Sequence, residues 1–161
     1  MKTIINISEV PNIVNKLQHE GKKVVVAGGC FDLLHIGHIT LLENAKKLGD
    51  TLVVLLESDA TIKNSKGINR PIHNQEERAH LLSALRAVDI VVLLPEDMND
   101  KDYDKLLQAI SPAVIATTEN DPYIQHKERQ AKEIGAKVVA VNKYMPSIST
   151  SKLVDILAKE N

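Results

Sequence analysis

Val24-Val-Val-Ala-Gly-Gly-Cys-Phe-Asp-Leu-Leu-His-Ile-Gly-His38 joins an apolar run to a glycine pair and then to two histidines at i, i+3. An apolar run without polar alternation suits a strand covered on both faces, as in a parallel sheet. The glycines predict a turn out of that strand, and the histidines then fall at the start of the following helix. This order brings backbone N–H groups, two imidazoles and a helix N-terminus to one small volume. Such a volume offers many donors to a polyanion without burying a fixed charge, so the stretch reads as a phosphate cradle.

Outward from it, short runs rich in Val, Ile and Leu recur at Lys23–Ala27, Thr51–Leu56, Ile90–Leu94, Ala113–Ala116 and Lys137–Val141. Helical patterns separate them. Ile39–Leu48 carries apolar residues at helical spacing and stops at Gly49, a residue suited to a helix C-terminus. Asn74 caps a helix whose first turn holds Glu76 and Glu77, which favour the positive end of its dipole, and which continues through Leu85. Asp104–Ile110, Ile124–Ile134 (ended by Gly135) and Ser149–Lys159 complete the set, and Pro11–His19 reads as a leading helix joined by Glu20-Gly21 to the first strand. Strands alternating with helices predict an α/β fold: a Rossmann-like, doubly wound, five-stranded parallel sheet with helices on both faces. One domain over residues 1–161 is expected, with a leading segment 1–21 and a core 22–161. The one long polar loop expected inside the core is Asn64–Asn74, and a loop of that length in a compact domain is more often functional than idle.

The bulk composition excludes several classes. A net charge of −1 without a basic cluster gives no electrostatic footprint for nucleic acid. No apolar stretch approaches a membrane span, and the N-terminus lacks the regions of a signal peptide, so neither membrane nor export is expected. Cys30 is the only cysteine, which rules out an internal disulfide and suits a reducing cytoplasm. Aromatic residues make up 2% of the chain, with no Trp, which leaves few rings to stack on a flavin.

In a doubly wound sheet, ligands sit beyond the carboxyl ends of the strands near the switch in strand order. His35 and His38, one helical turn apart, are placed there and can donate together to phosphate oxygens, while Gly37 between them allows close backbone approach. Two histidines at a helix start without any ligand, or a metal pair, are the other readings. Helical metal ligands more often sit at i, i+4, and no Cys or carboxylate third ligand is evident, so no metal site is assigned to protein side chains. Ser149, Thr150 and Ser151 open the last helix, where hydroxyls and free N–H groups can form an anion site; plain N-capping is the other reading, although one Ser would satisfy it. Lys63, Lys66 and Arg70 lie in or beside the polar loop as mobile cations able to offset the charge of a leaving polyphosphate.

Gly29–His38 resembles the His-x-Gly-His signature of the cytidylyltransferase-like nucleotidyltransferases, and Ser147-Ile-Ser-Thr-Ser-Lys152 is similar to their Ile-Ser-Thr-Thr/Ser motif. The likeness runs from about Val10 to Leu157. Within the family it is greatest to bacterial heptose 1-phosphate adenylyltransferases, in Gly29–Asp32, Ser58–Ala60, Lys66-Gly-Ile-Asn-Arg-Pro71 and Glu76-Glu-Arg78. The resemblance implies a transferase that moves AMP from ATP, or less readily CMP from CTP, onto a sugar phosphate such as heptose 1-phosphate and releases pyrophosphate. Mg²⁺ would enter on the nucleotide phosphates.

It implies His35, His38 and Lys66 as catalytic, and Gly29, Cys30, Phe31, Asp32, Gly37, Lys63, Arg70, Arg78, Asp121, Ser149, Thr150 and Ser151 at the nucleotide. Asp32 would orient the loop or acceptor, or cap the first helix. Arg78 would point from its helix toward the site. The partners implied are a nucleoside triphosphate, a small phosphorylated acceptor and a second copy in a homodimer. Two places depart from the family pattern. Ala116–Asp121 lacks the glycines usual after the fourth strand, leaving Asp121 to keep an acidic role, and Tyr144-Met-Pro146 stands where cytidylyltransferases carry an Arg. The rivals are a cytidylyltransferase acting on glycerol 3-phosphate or a related alcohol phosphate, a flavin mononucleotide adenylyltransferase, and a nucleotide-binding module without catalysis.

Overall fold

The computed structural model describes residues 3–143 and 149–159. Strand β1 (Thr3–Asn6) leads through a single 3-10 turn into helix α1 (Val10–His19). Then follow β2 (Val24–Gly29), α2 (Ile36–Lys46), β3 (Thr51–Leu56), α3 (Asp59–Lys66), α4 (Gln75–Ala84) and β4 (Ile90–Leu93). The chain continues through α5 (Asp100–Ile110), β5 (Val114–Thr118), α6 (Ile124–Ile134), β6 (Lys137–Asn142) and α7 (Thr150–Lys159). The strands form one parallel sheet in the order β1-β4-β3-β2-β5-β6. Strand order therefore reverses at β2, which lies between β3 and β5.

The continuous apolar runs are explained by burial on both faces. Successive side chains alternate across a strand, so Val24 and Val26 join Val53, Leu55, Ile90 and Val92 on the face covered by α1, α5 and α6. Val25 and Ala27 join Leu52, Val54, Leu56 and Val91 beneath α2 and α4. Each such Val or Leu removed from water stabilises the fold by roughly 1.5–3 kcal/mol, so both layers are needed. Helix starts follow the local chemistry: Asn74 and Asn99 accept N–H groups of the first turns of α4 and α5, each within a reciprocal capping box.

The sheet has six strands rather than the expected five, because residues 3–6 are not part of a helical leader. Thr3–Asn6 pairs with β4 in register Thr3↔Ile90. Four residues carry too little pattern to announce a strand; their hydrogen-bond partners come from a segment far along the chain. Gly28 and Gly29 belong to β2 itself, paired with Leu55 and Leu56, so the turn begins after them. The polar loop is also shorter than Asn64–Asn74, since α3 extends to Lys66 and carries both Lys63 and Lys66. Its start is set by Ser58, whose hydroxyl accepts the Thr61 N–H at 3.1 Å. Ile62 is the only buried residue of that helix, which is why no 3.6-residue apolar period marks it. No described helix is long and apolar enough to cross a membrane.

Candidate active site

The loop after β2 lies at the carboxyl edge of the sheet, at the reversal of strand order. His35 is the N-cap of α2, and its Nδ1 accepts the Gly37 N–H at 3.1 Å. The neutral ring therefore carries its proton on Nε2. Gly37 is required here by contact rather than by a turn: a Cβ on it would lie 3.0 Å from the His35 ring atoms Cε1 and Nδ1. The His38 ring stacks on His35 with centroids 3.8 Å apart and planes inclined by 24°. The Phe31 ring also lies 5.2 Å from the His38 ring, tilted by 59°. Phe31 is buried and adopts a positive φ of 45°, and its ring in turn lies against the Cα of Gly29, where a Cβ would come within 3.0 Å.

Burial, the neighbouring His35 and the Lys66 ammonium together push the His38 pKa down to about 3. Burial and Lys66 also lower that of His35. At neutral pH both rings are uncharged, so each is able to act as a directional hydrogen-bond donor and neither as a cation. The buried Nδ1 of His38 has no hydrogen-bond partner. Burial raises the Cys30 thiol pKa although Lys66 pulls it down. Lys66, exposed on the last turn of α3, thus exerts its field on Cys30, His35 and His38 together. Lys63 is exposed one turn earlier on the same helix, and its side chain has no polar partner among the described residues.

Two expected nucleotide ligands are placed differently. Arg70 is not a mobile loop cation: its side chain is 8% exposed and its Nε donates to Asp32 Oδ2 at 2.6 Å. Asp32 also accepts the N–H groups of Ile72 and His73 at 2.8 and 3.1 Å, so it orients the polar loop and does not cap α2. Burial raises the Asp32 pKa, but the hydrogen bonds from His73, Arg70 and Ile72 outweigh it and hold the carboxyl below its usual range. One Arg70 Nη2 remains buried without a partner. Arg78 does not point outward either. It is fully buried, and its guanidinium donates to the carbonyls of His73, Cys30 and Glu57 at 3.0, 2.6 and 2.9 Å and to Asp59 Oδ1 at 2.7 Å. Spacing along a helix cannot tell such a bolt from a ligand, because the carbonyls come from three other segments.

The second motif reaches the first through its start. Thr150 donates its hydroxyl to the Leu33 carbonyl at 3.2 Å, which ties the N-terminus of α7 to the histidine loop. Ser149 Oγ accepts the Lys152 N–H at 3.2 Å and so caps the helix, while Ser151 is exposed. Ser147, Ile148 and the stretch Tyr144–Pro146 lie outside the described residues. Nearby, Asn142 at the end of β6 donates to the Gly37 carbonyl at 3.4 Å.

At the end of β5, Asp121 accepts from the Thr117 hydroxyl, the Lys127 ammonium and the Tyr123 N–H. Burial works against its ionised form, yet these bonds hold its pKa below the usual range. Lys127 therefore joins this edge as a cation that sequence reading missed; its only signal is its position one turn into α6, facing back on Asp121. Glu57 and Tyr103 were missed as well. The Tyr103 hydroxyl donates to both Glu57 carboxylate oxygens, at 2.8 and 2.7 Å. A charged residue closing an all-apolar strand was the readable signal for Glu57. Among the described residues, no group of three or more His, Cys, Asp or Glu side chains is arranged to hold a metal ion.

Comparison with known proteins adds four findings. A bifunctional protein HldE of Desulfatibacillum aliphaticivorans is 34% identical over 153 residues, 93% of this chain and 30% of that protein. The chain thus spans about a third of the length of that curated relative. A lipopolysaccharide core biosynthesis protein of Thermoplasma volcanium, known by crystal structure, superposes with a TM-score of 0.66 at 34% identity, covering 78% of this chain and all of that one. The pantoate-β-alanine ligase of Francisella tularensis, crystallised in complex with beta-gamma ATP and β-alanine, shares the fold at a TM-score of 0.65 and 19% identity, over 98% of this chain and 77% of that one. The family model described as cytidylyltransferase-like matches residues 26–156, from β2 through most of α7, and takes in both the histidine loop and the α7 start that Thr150 ties to it. The chain belongs to the cytidylyltransferase-like family of nucleotidyltransferases.

Proposed function

We propose that this chain is a single nucleotidyltransferase domain that moves AMP from ATP onto a sugar phosphate such as heptose 1-phosphate and releases pyrophosphate. The observation that carries this reading is the stacked, uncharged His35–His38 pair at the switch in strand order, under the field of Lys66 and tied to the start of α7. An oxygen of the acceptor phosphate attacks the α-phosphorus in line. The bond to the bridging oxygen breaks, and pyrophosphate leaves with that electron pair. The acceptor is already anionic, so no covalent protein nucleophile is needed, and catalysis rests on positioning and charge stabilisation.

His35 and His38 donate to phosphate oxygens, Lys66 meets the charge that develops on pyrophosphate, and the first N–H groups of α7 complete the cradle. Mg²⁺, which keeps most of its waters, would enter on the substrate phosphates; among the described residues no three His, Cys, Asp or Glu side chains are arranged to hold it directly. When bound, the ion neutralises phosphate charge. ATP over CTP, a homodimer and a cytoplasmic location are parts of the same proposal and rest on resemblance to the family.

The test is pyrophosphate release by the purified chain with ATP or CTP against heptose 1-phosphate, glycerol 3-phosphate, phosphocholine and flavin mononucleotide. His38→Ala is expected to lower turnover on the order of 10²–10³-fold, as removal of one charge-aimed donor does elsewhere. Near-normal turnover in that variant refutes the role given to His38, and no turnover by the wild type with any pair refutes the reading.

A further inference from the structure

A site made to hold phosphates has an unexpected neighbour on its β3 side. Glu57 follows the last residue of β3 in register with Cys30, since Gly29 pairs with Leu56. Its N–H donates to the Gly29 carbonyl at 3.2 Å. The Arg78 guanidinium takes the carbonyls of Cys30 and Glu57 together, at 2.6 and 2.9 Å. The two residues are thus bolted side by side at the carboxyl edge of the sheet. Cys30 feels both the Glu57 carboxyl and the Lys66 ammonium, so this carboxyl shares the electrostatic neighbourhood of the triphosphate clamp. From the face covered by α5, the Tyr103 hydroxyl donates to both of its oxygens, at 2.8 and 2.7 Å.

An acidic group beside a polyanion weakens phosphate binding, and half-burying it adds a desolvation penalty. Burial indeed holds the Glu57 pKa above the usual carboxylate range, although Tyr103 and Arg78 oppose it. A strand end with only a structural duty is served as well by an amide. What a carboxyl group offers at this position is acceptor capacity for neutral O–H donors. Its oxygens retain free lone pairs after the Tyr103 bond, and the phenol oxygen, whose proton is committed, accepts one further donor.

We infer that Glu57 and Tyr103 form a hydroxyl-reading subsite for the acceptor, which makes this chain selective for polyhydroxylated phosphates over phosphorylated alcohols without free hydroxyls. The inference rests on the nucleotidyltransferase reading and sharpens its substrate class. It also divides the edge between two substrates: the nucleotide phosphates toward α7 and the acceptor's hydroxyls toward β3 and α5.

The experiment compares wild type, Glu57→Gln and Tyr103→Phe by steady-state pyrophosphate release, varying ATP and heptose 1-phosphate separately. Isothermal calorimetry of heptose 1-phosphate binding, with a non-hydrolysable ATP analogue present, gives a readout independent of turnover. Glu57→Gln preserves shape and still accepts the Tyr103 hydroxyl. It is expected to weaken heptose 1-phosphate on the order of 10- to 100-fold, the range for a hydrogen bond to a charged group, with KM for ATP unchanged. Tyr103→Phe leaves Glu57 in place and is expected to weaken the same acceptor by roughly 3- to 10-fold. Phosphocholine, used or refused, responds to neither change. An unchanged acceptor KM, or a rise in KM for ATP in its place, overturns the hydroxyl-reading subsite while leaving the transferase intact. A wild type that releases no pyrophosphate with any acceptor overturns the transferase reading, and this inference with it.

Discussion

Lowering the pH from 7 to 5 tests the central electrostatic feature of the site, the uncharged histidine pair. In the folded chain His38 takes up a proton only near pH 3, whereas its ordinary value is 6.5. Between those values the unfolded chain binds more protons than the folded one, so stability rises with pH. The contribution is fully present above about pH 6.5 and is lost as pH falls toward 3. Each step of one pH unit in that window costs about 1.4 kcal/mol, so the loss by pH 5 is about 2 kcal/mol. His35 is lowered by burial and by Lys66, which adds in the same direction. The assay is urea unfolding followed by circular dichroism at pH 7 and pH 5, for wild type and for His38→Gln, which cannot titrate. Wild type should lose about 2 kcal/mol more than the variant on acidification. Equal losses in the two proteins refute the claim that His38 is held neutral by its surroundings. They also remove the reason for treating the pair as donors and not as cations.

Two further outcomes follow from contacts at the same edge. Asp32→Asn breaks a pair in which Arg70 is buried and leaves that guanidinium without its counter-charge, so urea unfolding should show a loss of about 3–5 kcal/mol; a loss near zero shows that Asp32 is dispensable to the loop. Gly37→Ala improves helix propensity by about 1 kcal/mol, but its Cβ meets the His35 ring at 3.0 Å and forces the imidazole to move. Folding stability should therefore stay within about 1 kcal/mol of wild type, while turnover in the pyrophosphate assay falls on the order of 10²-fold through misplacement of the donor. Retained turnover places His35 outside the catalytic geometry.

Two places show where local reading stopped. Residues 59–66 carry a Ser58 cap and an acidic first turn, yet α3 buries only Ile62. The apolar period that marks the other helices is missing there, and its end merged with the polar loop. Arg70 and Arg78 looked like the cations that phosphate chemistry calls for. Whether an arginine meets solvent, a ligand or the fold's own oxygens depends on what converges on it. For Arg78 that is three carbonyls and a carboxylate drawn from residues 30, 57, 59 and 73.

The parallel α/β plan and the position of the histidine loop are written locally in the chain. Doubly buried strands write continuous apolar runs, and helix caps and glycine stops are local chemistry. Both motifs are legible there too, because their residue types and order are local features of the chain. The sixth strand, the uncharged stacking of His35 on His38, and the burial of Arg70 and Arg78 against the fold's own oxygens arise only on folding. Folding alone sets Glu57 and Tyr103, 46 residues apart in the chain, in contact beside the cradle. Those are properties of burial and of partners brought from distant segments, and neither exists until the chain has folded.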